Sequence, residues 1–288
     1  RDGQLRCIRS VFLMHLKRSA LELRPSELQL SIDNHRAKVS AARAAGYLTP
    51  VLKWAKRRDL VVGDFNLEKP LQDEPKQRVL IESELNSLLP IFKKYHGDCA
   101  KFILLTGARI SEATSATWSQ IDLETKTWEI PAENIKDTRT LNARRKKPKQ
   151  GFIIPLSLQA IQLVIEARNA EIARRQLNGL PERIQQQDLL FVGPRGAKLG
   201  NWDRWLKATT LKTGVAGWSA HALRRTSATL AGDLGAPPHI VSIILGHSNV
   251  GGQLVAGYNQ SKYRSEHKEI LQIVADKLEA LENGVSYE

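Results

Sequence analysis

Over the first sixty positions apolar residues return every three or four places, the spacing of helices that bury one face. In "RCIRSVFLMHLKRSA", Ile8, Val11, Phe12 and Leu16 fall on such a stripe. "SELQLSIDNHRAKVS" and "TPVLKWAKRRDL" continue it, the second with Pro50 where a first helical turn tolerates proline. The periodicity then stops. "VGDFNLEKPLQDEPKQR" holds two prolines, a glycine and many charges with no apolar spacing, which marks a linker. The pattern predicts a helical unit over 1–70, a linker over 71–78 and a larger unit over 79–288.

The second unit opens with "SELNSLLPIFKKYHGDCAKFILLTG", helical segments interrupted at Pro90 and around Gly97 and ending at Gly107, after which "ARISEATSATW" starts a new helix. "SQIDLETKTWEIPAEN" and "GFIIPLS" are short and β-rich, so a small antiparallel sheet is expected, with the residues between them at the tip of a hairpin. "LQAIQLVIEARNAEIARRQ" reads as a helix, as does "HALRRTSATLAGDLG", with Leu223, Ser227, Leu230 and Leu234 down one side and a glycine stop. Prolines open a short helix in "PPHIVSIILGHS". An amphipathic helix over 265–283 aligns Ile270, Val274, Leu278 and Leu281 before Gly284. The fold class is mainly α with a small antiparallel β-sheet, in two domains.

Charge narrows the partner. Of the net +13, residues 1–70 contribute +7 and the run "KDTRTLNARRKKPK" contributes +6. In the first stretch Arg36, Lys38, Arg43, Lys53 and Arg57 interleave with the helical stripe, and the run gathers Arg144, Arg145, Lys146 and Lys147. Double-stranded DNA is the leading partner; an anionic membrane fits worse, because the basic run has no apolar face beside it. No window approaches the ~20 apolar residues of a membrane span, and the start "RDGQLRCIRS" has no secretory apolar run. The first residue is not Met, so the chain is expected to be part of something longer. Cys7 and Cys99 are isolated, with no metal-ligand spacing, which fits a reduced, cytoplasmic protein and no metal site.

Four short segments carry candidate chemistry, each with an ordinary reading beside it. In "TGARISEAT" Arg109 stands at a helix start that favours an anion, with Glu112 three residues on to hold the guanidinium; a surface ion pair is the plain alternative. In "HALRRTSATL" His221 shares a helix face with Arg224 and nearly with Arg225, and spacing alone leaves the two arginines open. A guanidinium fork suits paired phosphate oxygens, and a solvated charge cluster is the ordinary reading. His247 in "ILGHS" follows a glycine at a helix end, where a cation is also stabilised by the helix dipole. Tyr258 and Tyr263 in "VAGYNQSKYRS" precede the closing helix, and most tyrosines are packing residues.

In that order "TGARISE", "HALRR", "LGHS" and "AGYNQ" resemble the tyrosine site-specific recombinases, particularly the prophage and genomic-island integrases. The resemblance covers about residues 79 to 280, and the basic helical part before it looks like their core-binding domain. It implies that Arg109 and Arg224 hold the non-bridging oxygens of a DNA phosphodiester, which chooses Arg224 over Arg225. It further implies that His221 and His247 assist proton movement and that Tyr258 is the nucleophile, giving a 3′-phosphotyrosyl bond and a free 5′-hydroxyl. Since the ester conserves the bond energy, neither ATP nor a metal or other cofactor is required. The family's hairpin lysine falls on Lys136 in "IPAENIK", with Lys146, Lys147 and Lys149 as alternatives because the stretch before "IIPLS" is longer than the family's usual turn. The eleven-residue step from His247 to Tyr258 is also a little long, which keeps Tyr263 in view.

By the same resemblance the protein integrates or excises a mobile element as a tetramer on paired sites, with accessory DNA-bending proteins possible and a further N-terminal arm-binding domain common. Helix 265–283 would pack on a neighbouring subunit, against the plainer reading that it docks on its own core. A type IB topoisomerase and a non-catalytic DNA-binding regulator on the same scaffold are the alternatives.

Overall fold

The computed structural model describes residues 2–71, 77–134, 151–246 and 264–285. The chain divides into two compact units, Arg1–Lys76 and Gln77–Glu288. Element labels below number only the described residues.

The first unit is built from α1 (Asp2–Val11), α2 (Pro25–Asp33) and α3 (Lys38–Lys56). Its core joins Phe12 to Leu28 and Ile32 of α2 and to the small residues Ala41, Ala44 and Ala45 of α3, which let the neighbouring helices approach closely. "SELQLSIDNHRAKVS" is not one helix: α2 ends at Asp33, where the Lys38 ammonium donates to the Asp33 carbonyl at 2.6 Å, a cation on the orphan acceptors of a helix C-terminus. Nor does Pro50 open a helix. It lies inside α3, whose buried face runs through it from Ala45 to Leu52 and Ala55. Continuous burial on both sides outweighs the one backbone hydrogen bond that proline removes.

In the second unit α4 (Glu82–Leu88) leads to α5 (His96–Thr106), which is buried nearly all round from Cys99 to Thr106 and forms the centre of the domain. Gly97 sits in its first turn because a Cβ there would stand 2.7 Å from the Phe92 carbonyl carbon. After the single turn α6 (Ile110–Ala113) come β1 (Ile121–Asp122), β2 (Thr127–Ile130) and β3 (Phe152–Pro155), an antiparallel sheet in the order β1-β2-β3. Trp128 lies opposite Ile154. Alternation turns Trp128 and Ile130 inward and Glu129 outward, and the Trp128 ring packs 5.1 Å from that of Phe102 on α5.

Five more helices follow among the described residues: α7 (Leu158–Leu177), α8 (Trp202–Thr213), α9 (Ala220–Asp233), α10 (Pro238–Ile244) and α11 (Arg264–Glu282). The apolar pattern did not assign α8. α11 docks on its own domain, the plainer of the two readings, with Leu271, Val274, Ala275 and Leu278 buried against α4, α5, α7 and α9. Each large apolar side chain so buried contributes roughly 1.5–3 kcal/mol. Polar clamps fix the seat: Lys101 pairs with Glu282, Lys277 with Glu82 at 2.8 Å, and Gln159 donates to Asp276 and Glu279.

Candidate active site

The site begins where α5 stops. Gly107 closes that helix in the left-handed region, φ 65°, and a Cβ on it would come 2.5 Å from Cγ2 of Ile244 in α10. Only glycine satisfies both the dihedral and the approach. The turn delivers Arg109 to the start of α6, where Glu112 holds it twice: one carboxylate oxygen accepts the Arg109 backbone N–H at 2.8 Å and the other accepts Nη1 at 2.8 Å. Glu112 is buried, whereas the Arg109 side chain keeps 22% of its surface accessible. The ordinary reading of this pair as a surface ion pair is therefore set aside.

Arg224, one turn into α9, is only 4% exposed. Its guanidinium donates to the Gly107 carbonyl at 2.7 Å and to the Leu245 carbonyl at the end of α10. Gly246 follows with φ 53°, and a Cβ on it would lie 3.7 Å from Nη1 of Arg109 and 3.8 Å from the Phe152 ring. Arg109 and Arg224 thus converge on the Leu245–Gly246 backbone. Burial, and after it the nearby positive charge of Arg109, pulls the Arg224 pKa down to about 10, with Glu112 opposing. It stays charged at neutral pH. Among the described residues Glu112 pairs with Arg109 while backbone carbonyls hold Arg224, so two guanidinium charges lie near one carboxylate.

His221 lies in the first turn of α9 and is exposed, one turn before Arg224. Arg225, the other arginine the spacing left open, is half-buried. His247, next after Gly246, lies outside the described residues, as do Tyr258, Tyr263, Lys136, Lys149 and the Arg144–Lys147 run. Arg36, Lys38, Arg43, Lys53 and Arg57 are all exposed on the first unit. Among the described residues no three His, Cys, Asp or Glu side chains gather as a metal site would require, and no helix there is long and apolar enough to cross a membrane.

Sequence reasoning missed the backbone acceptors at Gly107 and Leu245, since carbonyls carry no residue signature. It also missed Phe152, whose ring stands beside Gly246 on one side and stacks on His267 of α11 at 6.3 Å on the other. His267 is buried, its Nε2 has no hydrogen-bond partner among the described residues, and burial lowers its pKa to about 4.

Comparisons with known proteins agree with this architecture. The prophage integrase IntA of Escherichia coli (strain K12) is 26% identical over 63% of this chain and 38% of its own length. The tyrosine recombinase XerD of Bifidobacterium longum is 29% identical over 52% of this chain and 45% of its own. The chain thus matches less than half the length of these curated relatives. In fold it is similar to the Tn1549 transposon integrase (residues 82–397) in complex with circular intermediate DNA, with a TM-score of 0.62, 17% identity and coverage of 93% of this chain and 92% of that one. A lambda integrase tetramer bound to a Holliday junction gives a TM-score of 0.62 at 12% identity, covering 87% and 71%. The model of the phage integrase family matches residues 78–264, most of the second unit and about two thirds of the whole chain. The chain belongs to the phage integrase family.

Proposed function

We propose that this protein is a site-specific DNA strand transferase that cuts and rejoins duplex DNA through a tyrosyl-phosphate ester, integrating or excising a mobile element. The observation that carries the reading is the half-buried Arg109, paired with Glu112, standing near the buried Arg224, which the Gly107 and Leu245 carbonyls hold. A phosphodiester supplies the missing negative charge, and the pentacoordinate transition state supplies more of it. Guanidinium groups already fixed by Glu112, Gly107 and Leu245 stabilise that build-up without reorganising.

In this reaction the Tyr258 hydroxyl gives up its proton and its oxygen bonds to phosphorus. The bond from phosphorus to the 5′ oxygen breaks, and that oxygen takes a proton to leave as a hydroxyl. His221 and His247 serve the proton at the nucleophile, and Lys136 donates to the leaving oxygen. Reversal with a different 5′-hydroxyl completes the exchange. Exposed Arg36, Lys38, Arg43, Lys53 and Arg57 hold backbone phosphates, which position the duplex without reading it. Four protomers on paired sites carry out the exchange.

Incubation with a random-sequence library of nicked duplexes, followed by denaturing electrophoresis, tests the reading. The expected product is a covalent protein–DNA adduct absent from Tyr258→Phe, with a free 5′-hydroxyl on the released strand. DNA retained under native conditions with no covalent adduct would leave a binding protein only. An adduct that persists in Tyr258→Phe and vanishes in Tyr263→Phe would move the nucleophile.

A further inference from the structure

The residues entering the second unit are fastened more firmly than a linker's end requires. Leu80 is buried in the domain core, and its backbone N–H donates to the Thr226 hydroxyl at 2.9 Å in the interior. Beside it the Arg78 guanidinium pairs with Glu84, whose other carboxylate oxygen accepts the Ile81 N–H at 3.1 Å. Residues 78–81, at the start of the second unit, are thereby fixed to α4 and to α9 at once.

Thr226 is well placed to pass that fixation on. Its hydroxyl accepts from Leu80 and donates to the Ala222 carbonyl within α9 at 2.9 Å, so one oxygen joins the incoming strand to the helix. At 100° per residue Thr226 and Arg224 stand about 200° apart around α9. The helix is therefore gripped on one side by the segment that follows the linker, and on the other it sends Arg224 to Gly107 and Leu245. A shift of Leu80 that dragged the Thr226 side would swing Arg224 across those two carbonyls.

We propose that Thr226 is a positioning residue through which the segment 78–81 sets the seating of α9, and with it the phosphate grip of Arg224. The inference rests on reading the arginine pair as a cleavage site, and it adds a positioning residue to that site.

The test uses the full chain and a nicked duplex recovered from the adduct assay above, comparing wild type with Thr226→Val, Thr226→Ser and Arg78→Gln. Valine keeps the shape and deletes the hydroxyl, serine keeps the hydroxyl, and Arg78→Gln loosens the same segment without touching α9. At saturating DNA, Thr226→Val should form adduct about tenfold more slowly, with the half-saturating DNA concentration changed less than twofold. Thr226→Ser should return to within two- to threefold of wild type, and Arg78→Gln should slow the step by a smaller factor. Wild-type rates in Thr226→Val would overturn the positioning role while leaving the cleavage reading intact. Equal losses in the valine and serine variants would reduce Thr226 to packing. No Tyr258-dependent adduct from the wild type would sink the cleavage reading itself, and this inference with it.

Discussion

Cations occur in this protein in two quite different settings. Along α3 and its approach, Arg36, Lys38, Arg43, Lys53 and Arg57 stand exposed; Lys38 and Lys53 reach local acceptors, at 2.6 Å on the Asp33 carbonyl and 3.4 Å on Asn66. In the second unit Arg224 is buried and tied to two carbonyls, and Arg109 is braced by Glu112. Water and long flexible stems make the first group interchangeable, each charge acting as a roughly independent counterion. Desolvation and fixed geometry make the second group specific, because a buried guanidinium that loses one acceptor has no water to replace it. In the proposed function, charge alone accounts for attraction to a polyanion, while geometry accounts for the chemistry at one of its linkages.

The contrast is broken most sharply by keeping charge and changing shape. Arg224→Lys retains the positive charge but cannot fork between Gly107 and Leu245. Adduct formation at saturating DNA is expected to fall on the order of 100- to 1000-fold, read by single-turnover quenching, whereas Lys53→Arg on α3 should change neither rate nor affinity measurably. Equal tolerance at both positions would erase the distinction.

Gly107→Ala comes next. The added methyl meets Ile244 on a backbone with positive φ, so destabilisation of roughly 2–4 kcal/mol is expected in denaturant unfolding of the full chain. Pairing it with Ile244→Ala should recover the part due to the clash and leave the part due to the dihedral.

The third prediction uses the fact that burial leaves Arg224 charged but strips His267 of its proton, folded pKa about 4 against 6.5 when unfolded. Between those values the unfolded chain binds a proton that the folded one refuses, so stability is whole above about pH 6.5 and declines as pH falls toward 4. At pH 5 this amounts to about 2 kcal/mol. Asp98, whose pKa burial raises to about 6, acts in the opposite sense over part of that range. Comparing wild type with His267→Phe cancels its contribution, and the variant should lose about 2 kcal/mol less between pH 7 and pH 5 in denaturant titrations. Parallel pH curves would rule out the neutral imidazole. Smallest of all, Lys53→Ala should lower DNA affinity only a few-fold and reduce the slope of log K against log salt by about 0.9, measured by anisotropy across a salt series.

The same two settings account for what the amino-acid order discloses. Arg109 and Glu112 are three residues apart on one turn, so their pairing is local and can be foreseen. The choice between Arg224 and Arg225 is not local: it depends on which side of α9 faces Gly107 and Leu245, and only the resemblance made it. Pro50 misleads because helix-breaking is a tendency of isolated segments, and the alanine face of α3 overrides it. α8 escapes notice because its apolar positions are split between the interior and solvent, Trp202, Trp205 and Leu206 packing on the core while Leu211 stays exposed. Thr226 and Phe152 give no sign at all until distant strands and helices are brought together.

The docking of α11 also dictates when the second unit can finish folding. Ile270, Leu271, Val274 and Leu278 are buried against the elements that precede them, and His267 backs the Phe152 ring. During synthesis every element from α4 to α10 emerges from the ribosome before the helix that seals them. The nascent chain therefore cannot close this core until α11 has itself emerged.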